Sequence, residues 1–342
     1  MDPAPPTDPR HGTHDPTTAT PARRPRSVRR TTTMDACYPE GPGGPLVLVG
    51  RGRDLVTGSA GTPTTAAQAH VEVGVHFERG PVVTSMTTSP PVDVTALIGR
   101  LASTGFRAVI DSDTPAVPGT LVYLLLDEIP AATLVGGYSI MHAVRRGDLQ
   151  SLDSGRRRPP GPALQVPDLC AGFQTGGVIM TEIGRSGVAP HVTGPDAPDL
   201  DDPGDPWAWH DAPPVPANGM RRRRRIDLTP DPIGTVDIDA LFRDSHMTPD
   251  GRETVIHEYT VQATVDAAHT RVLECRATPR VLPWLECPQA AASAARLVDT
   301  PLAHLRTHVR AQFVGPTTCT HLNDTLRALQ DVPHLGGLVP ER

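Results

Sequence analysis

The sequence contains no lysine: all 32 basic residues among its 342 are arginine. A chain without lysine cannot form a Schiff base with a substrate or cofactor, and it cannot carry the lysine of a phosphate-binding P-loop. These mechanisms are therefore excluded. The formal net charge of −6 also argues against a surface that binds nucleic acid broadly, so we expect no nucleic-acid partner.

Cysteines and long apolar runs are scarce as well. The five cysteines are odd in number and widely spaced, which argues against a disulfide framework and fits a reducing cytoplasm. The most apolar run, residues 121–126, stops at Asp127 and Glu128, so we expect no membrane span. Residues 1–30 contain no apolar core of a signal peptide. These absences together predict a cytoplasmic protein.

Proline is plentiful, with 39 residues, so much of the chain should be loop or tail. Residues 1–30 consist largely of Pro, Thr, Asp and Arg and offer little to bury, which predicts a disordered tail. Residues 31–342 are predicted to form a single domain with long loops near 154–167 and 190–218. We find no internal sequence repeat.

The remaining pattern predicts an α+β fold, an antiparallel sheet built from hairpins with C-terminal helices packed on it. Alternating or β-branched segments predict three hairpins: 34–38 with 46–55, 70–77 with 82–86, and 254–265 with 271–277. The short run 121–126 is expected to be a buried strand. Helices are expected at 93–102 and 131–144, and three more near the C-terminus.

The run Cys319-Thr320-His321-Leu322 opens the last predicted helix. The N-terminus of a helix favours negative charge, so it should lower the pKa of the Cys319 thiol and favour thiolate. His321 could then act as a base or share a metal ion with Cys319. The alternative is that Cys319 is a small buried apolar residue of a Leu-rich helix.

The same run carries a resemblance to a known family. Residues 254–335 resemble the C-terminal region of a bacterial family of unknown function, DUF2889, through Cys287-Pro288 and the Cys-Thr-His-Leu run. Thr318 stands where the family often has Gly. The early strand ending in Gly52-Arg53-Asp54 is similar to the family's N-terminal Gly-x-x-Asp strand.

The resemblance implies positions rather than an activity. It marks Cys319 and His321 as catalytic or metal-binding candidates, Cys287 as a third ligand of a divalent metal ion, and Asp54 as an additional carboxylate. Our leading hypothesis is therefore a cytoplasmic enzyme or metal-binding protein with its site at the Cys-Thr-His-Leu run.

The arginine run at residues 221–225 supports a second hypothesis. In a strand, Arg221, Arg223 and Arg225 share one face, and three guanidinium groups suit a phosphate or carboxylate. The chain would then be a non-catalytic protein that binds an anionic ligand or partner. The alternative is a solvated run neutralised by the acidic loop at 199–205.

Three further pairs give weaker signals. His304 and His308 have the spacing of a helical metal pair but lie off the apolar stripe, which favours a solvated face. Asp127 and Glu128, read as the end of a strand, should point to opposite faces, as should His257 and Glu258.

Overall fold

The computed structural model describes residues 12–41, 44–146, 167–186, 189–232, 234–266 and 268–340. Its centre is an antiparallel sheet of eight strands in the order β4-β3-β2-β1-β5-β6-β7-β8. The strands are β1 Ser27–Cys37, β2 Leu46–Thr57, β3 Pro63–His76, β4 Val82–Ser89, β5 Met220–Pro230, β6 Thr235–Met247, β7 Glu253–Asp266 and β8 Val272–Val281. The predicted α+β class and the three predicted hairpins are confirmed.

The sheet consists of two four-stranded meanders, β1 to β4 and β5 to β8, joined by antiparallel pairing of β1 with β5. Helical segments follow each meander in the chain. The architecture therefore repeats although the sequence shows no repeat, because a meander needs only alternation and turns, which many sequences supply.

The helices pack as a second layer. They are α1 Phe106–Asp113, α2 Leu121–Arg146, α3 Val178–Ser186, α4 Leu305–Gln312, α5 Thr320–Ala328 and α6 Val332–Gly336. Short 3₁₀ segments lie at Thr95–Leu97, Ala171–Phe173, Cys287–Leu297, Leu302–His304 and Leu329–Asp331. The helix predicted at 93–102 is thus only one 3₁₀ turn, beside which Asp93 accepts a hydrogen bond from the Thr95 backbone N–H at 3.0 Å.

The prediction of a strand at 121–126 is wrong. These residues form the first turns of α2, which continues through Pro130. Periodicity alone cannot separate a short buried strand from a buried helix, since both are continuously apolar. Contrary to the expectation from residues 121–126, the window Leu121–Ala143 is long and apolar enough to cross a membrane by length and composition. In the structure 67% of that window is buried, and α2 packs on β1, β2 and β3.

The N-terminal segment differs from the predicted tail over residues 12–30. The backbone carbonyl of Thr13 accepts a hydrogen bond from Leu282 N–H at 2.9 Å, and Asp15 N–H donates to the carbonyl of Arg280 at 2.8 Å. β1 then begins at Ser27 in the middle of the sheet. Backbone pairing with β8 and buried arginines order a segment that has little apolar surface. Residues 1–11 lie outside the described residues.

Of the two predicted loops, only the second can be compared with the structure over its whole length. Of the loop near 154–167, only the last residue is described. The segment 190–218 carries no helix or strand longer than an isolated bridge within its described residues, as predicted. It lies against the sheet, where Leu200, Ala208 and Trp209 pack with Leu241 of β6.

A buried ionic layer lies between the sheet and the helices. Six arginines and six carboxylates form it: Arg30, Arg107, Arg222, Arg224, Arg306 and Arg327 with Asp54, Asp127, Glu128, Asp244, Asp324 and Asp331. Burying a charge is very unfavourable unless it is paired, so the equal numbers explain why this polar layer is tolerated. The layer also fixes the side chains around the candidate site.

Candidate functional site

The site is built where α5 crosses the second meander. Cys319 is the N-cap residue of α5, and α5 packs on β6 and β7. This brings His321, in the first turn, over the sheet, with its Nε2 3.6 Å from Oδ2 of Asp244. The His321 ring stacks on His257, with centroids 3.7 Å apart and planes 13° apart.

The strand register explains why these side chains meet. Arg222 of β5 lies opposite Asp244 of β6, and Asp244 lies opposite His257 of β7. Directly opposite residues of an antiparallel pair project from the same face with neighbouring Cβ atoms. The three side chains therefore form one row across the sheet, and His321 covers it from the helix layer.

Asp244, His257 and His321 each offer a ligand atom, and these atoms all lie within 4.8 Å of one another. Asp244 is buried, and the two histidines are half-buried. Among the described residues, one group of three or more His, Cys, Asp or Glu side chains has ligand atoms this close together, and it is this one. Two imidazoles and a carboxylate are typical ligands of zinc and of non-haem iron.

Burial favours the neutral imidazole of His321. The Asp244 carboxylate accepts two hydrogen bonds from Arg222, at 2.9 Å from Nε and 3.0 Å from Nη2. Burial lowers the pKa of His321; Asp244 opposes this shift, and the nearby Arg222 charge adds to it. A metal ion requires a deprotonated ring nitrogen, which these surroundings supply.

Cys319 lies beside this group, with its Sγ 3.9 Å from Nδ1 of His321. Its environment reverses the expected shift. Burial raises the pKa of the Cys319 thiol to about 11, with a further contribution from Cys170. The backbone N–H of Leu322 acts in the opposite direction but does not outweigh burial. Burial therefore favours the protonated thiol at neutral pH, in the opposite direction to the thiolate expected from the helix N-terminus.

Cys287 is buried at the start of the 3₁₀ segment Cys287–Leu297. Burial also raises the pKa of its thiol, and Cys319 and Cys170 are near enough to contribute. Among the residues described, neither Cys287 nor Cys319 belongs to the convergent group of ligand atoms. Of the predicted ligands, the structure thus places only His321 in the group, and its neighbours there are Asp244 and His257.

Comparison with known proteins gives one match. Residues 220–334 match the family model described as protein of unknown function, DUF2889. The chain is similar to that family over about a third of its length. The matched segment begins at β5 and contains Asp244, His257, Cys287, Cys319 and His321. No curated protein and no solved structure matches the chain.

Asp54 lies outside the DUF2889 match, in the first meander. It accepts two hydrogen bonds from Arg30, both at 2.7 Å, and Arg30 lies directly opposite it on β1. This pair occupies the place in the first meander that Arg222 and Asp244 occupy in the second. No histidine lies opposite Asp54 on β3, where Ala67 is its partner.

The arginine run opens the DUF2889 segment as part of β5, and its alternate residues face opposite ways. Arg221 donates two hydrogen bonds to Asp35, at 2.7 and 2.8 Å. Arg225 pairs with Asp227 and Asp239. Arg223 is held least tightly: it lies 3.7 Å from Asp201 and over the ring of Trp209.

The weaker candidates are dispersed. His304 is exposed, and His308 contacts the edge of Phe313. Asp127 and Glu128 lie on helix α2 rather than at a strand end, where Asp127 pairs with Arg327 and Glu128 with Arg224. The alternation of side chains along a strand separates His257 from Glu258 and gives no reason to join it to Asp244. Its pairing with Asp244 depends on strand register, which the sequence alone does not reveal.

Proposed function

We propose that this protein binds a divalent transition-metal ion through Asp244, His257 and His321. The observation that carries the proposal is the convergence of one carboxylate oxygen and two imidazole nitrogens within 4.8 Å. Around a tetrahedral zinc ion with bonds of about 2.1 Å, donor atoms lie about 3.4 Å apart. Because an imidazole nitrogen binds a metal in the plane of its ring, the stacked rings of His257 and His321 must turn out of their parallel arrangement to face one ion.

Arg222 is compatible with this role for Asp244. A carboxylate has about four lone-pair positions, and Arg222 uses one on each oxygen. A metal ion can take a remaining position on Oδ2, which faces His321. Arg222 then orients the carboxylate, as hydrogen-bond partners of metal ligands commonly do.

Three protein ligands would leave a coordination position for water or substrate, which is the arrangement of catalytic zinc and non-haem iron sites. We therefore keep both an enzyme and a metal-binding protein within the proposal, and we place the metal ion, rather than the Cys319 thiol, at its centre. The cysteines among the described residues are all unpaired, which supports a cytoplasmic location.

The anion-binding alternative has less support. Arg221, Arg223 and Arg225 share a face, but each is already engaged by carboxylates or by an aromatic ring. A phosphate or carboxylate ligand would have to displace those partners. No observation favours this alternative over the metal site.

Cobalt binding tests the proposal. The full chain, freed of metal with a chelator, is titrated with Co²⁺ while the visible absorption of the ion is followed. His321→Gln and His257→Asn should each remove one bound ion and its absorption bands. His76→Ala, an exposed histidine on β3, is the matched control and should bind as the wild type does. Unchanged binding in both site variants would refute the proposal.

A further inference from the structure

A second histidine cluster lies near the end of β6, where His246 follows Asp244 by two residues. His142 of α2, His191 of the loop segment and His246 of β6 surround a common point together with Tyr138. The His142 ring centroid lies 5.1 Å from that of His191 and 4.6 Å from that of His246. The Tyr138 centroid lies 4.4 Å from that of His191 and 5.0 Å from that of His246.

His246 is the unusual member of this cluster. Its side chain is fully buried, at 0% exposure, and neither ring nitrogen has a hydrogen-bond partner among the described residues. A buried polar group without a partner destabilises a fold, so such groups in folded proteins usually have a water or an ion as partner. The imidazole of His142 lies against the His246 ring, and that of His191 lies against His142, which indicates the kind of partner.

We propose that His142, His191 and His246 form a second site for a divalent transition-metal ion. The spacing of the rings supports this. The four rings form a quadrilateral whose Tyr138–His142 diagonal is 6.4 Å, which leaves each centroid roughly 3.2 to 3.6 Å from the midpoint of that diagonal. A zinc-bound imidazole has its centroid about 3.2 Å from the ion, since the Zn–N bond is about 2.1 Å.

The ligand nitrogens do not yet converge. Unlike Asp244, His257 and His321, these three histidines are not a group whose ligand atoms all lie within 4.8 Å, so at least one ring must rotate on binding. Tyr138 restricts the position of His191, because the tyrosine hydroxyl donates a hydrogen bond to the carbonyl of the adjacent residue, Val192. The tyrosine therefore holds the loop segment against α2.

The chemistry of the cluster selects the ion. Three imidazoles without a carboxylate suit Zn²⁺, Ni²⁺, Co²⁺ or Cu²⁺, whereas Mg²⁺ and Ca²⁺ prefer oxygen ligands. Only His246 lies within the residues that match DUF2889. The second site thus joins the family segment to α2 and the loop, and its existence does not depend on the first site.

Zinc stoichiometry of the full chain separates the two sites. The metal-free protein is titrated with Zn²⁺ against a chromophoric chelator, and we expect two ions in the wild type. The variants His142→Gln and His191→Asn should each bind one ion, and either variant combined with His321→Gln should bind none. His76→Ala is the control and should bind two. The half-buried His142 is chosen because a change at the fully buried His246 could disrupt folding.

The outcomes distinguish the two proposals. If His321→Gln still binds one ion, and adding His191→Asn removes it, the second site stands whatever the first site does. If His142→Gln and His191→Asn both fold, as judged by circular dichroism, and keep the wild-type stoichiometry, the second site is overturned. A wild type that binds one ion, lost only in His321→Gln, also overturns it while leaving the first site intact.

Discussion

His321 Nε2 lies 3.6 Å from Oδ2 of Asp244, which joins the first turn of α5 to the middle of β6. The contact exists because Arg222, Asp244 and His257 form a row across three paired strands and α5 covers that row. It places a half-buried imidazole against a carboxylate that already has an arginine partner. The candidate metal site is therefore a product of sheet register and helix docking together.

The Cys319 thiol should be unreactive in the folded protein. Burial raises its pKa to about 11 from the ordinary 9.0, which lowers the thiolate fraction at neutral pH about 100-fold. Alkylation by iodoacetamide, followed by mass spectrometry of the Cys319 peptide, should be at least that much slower in the folded chain than in urea. Cys319→Ser identifies the peptide. Rapid alkylation in the folded state would restore the thiolate hypothesis.

His210 should make stability fall in mild acid. It hydrogen-bonds Thr31 and Thr33, and burial together with four nearby arginines lowers its pKa from 6.5 to about 3. Between these values the unfolded chain binds a proton that the folded chain does not, so this contribution is complete above pH 6.5 and is lost as the pH falls. At pH 5 the loss is about 2 kcal/mol.

Urea unfolding of the wild type and of His210→Asn at pH 7 and pH 5 measures this effect. Asparagine can still hydrogen-bond the threonine hydroxyls but does not titrate. The variant should therefore lose less stability than the wild type between the two pH values. An equal loss in both proteins would show that other groups cause the acid sensitivity.

Glu128 should matter for stability because of its partner. It lies 2.7 Å from Nη2 of Arg224, and both side chains are buried. Glu128→Gln removes the charge that offsets the Arg224 guanidinium, and breaking a buried pair in this way destabilises by about 3–5 kcal/mol. The double variant Glu128→Leu with Arg224→Met removes both charges and should recover much of that loss. Thermal denaturation of the wild type, the single variant and the double variant measures these differences. If Glu128→Gln is as stable as the wild type, the pair with Arg224 does not stabilise the buried ionic layer.

Removal of residues 1–30 should strongly destabilise the protein. Although the composition predicts a dispensable tail, Arg30 is fully buried on β1 and pairs with both Asp54 and Asp331. The truncated chain should melt at a much lower temperature or fail to fold, whereas Arg24→Ala, which changes an exposed arginine, should melt as the wild type does. An unchanged melting temperature after truncation would mean that β1 contributes little.

The sequence predicted the hairpins well because alternation and turn residues are local signals. It failed at residues 121–126, where burial from every side removes the periodicity that separates strand from helix. It located His321 through the Cys-Thr-His-Leu run but could not find Asp244, whose role depends on which residue lies opposite it in neighbouring strands. The direction of the Cys319 pKa shift could not be predicted from the sequence either. The position at a helix terminus is a local feature, whereas burial depends on the whole fold.

Metal analysis of the purified full chain tests the central claim most directly. Inductively coupled plasma mass spectrometry of wild type and His321→Gln, both loaded with Zn²⁺ and then freed of excess by gel filtration, gives the number of bound ions per chain. We expect the variant to retain one zinc ion fewer than the wild type. Equal zinc content in the two proteins, or no zinc in either, would contradict a metal site at Asp244, His257 and His321.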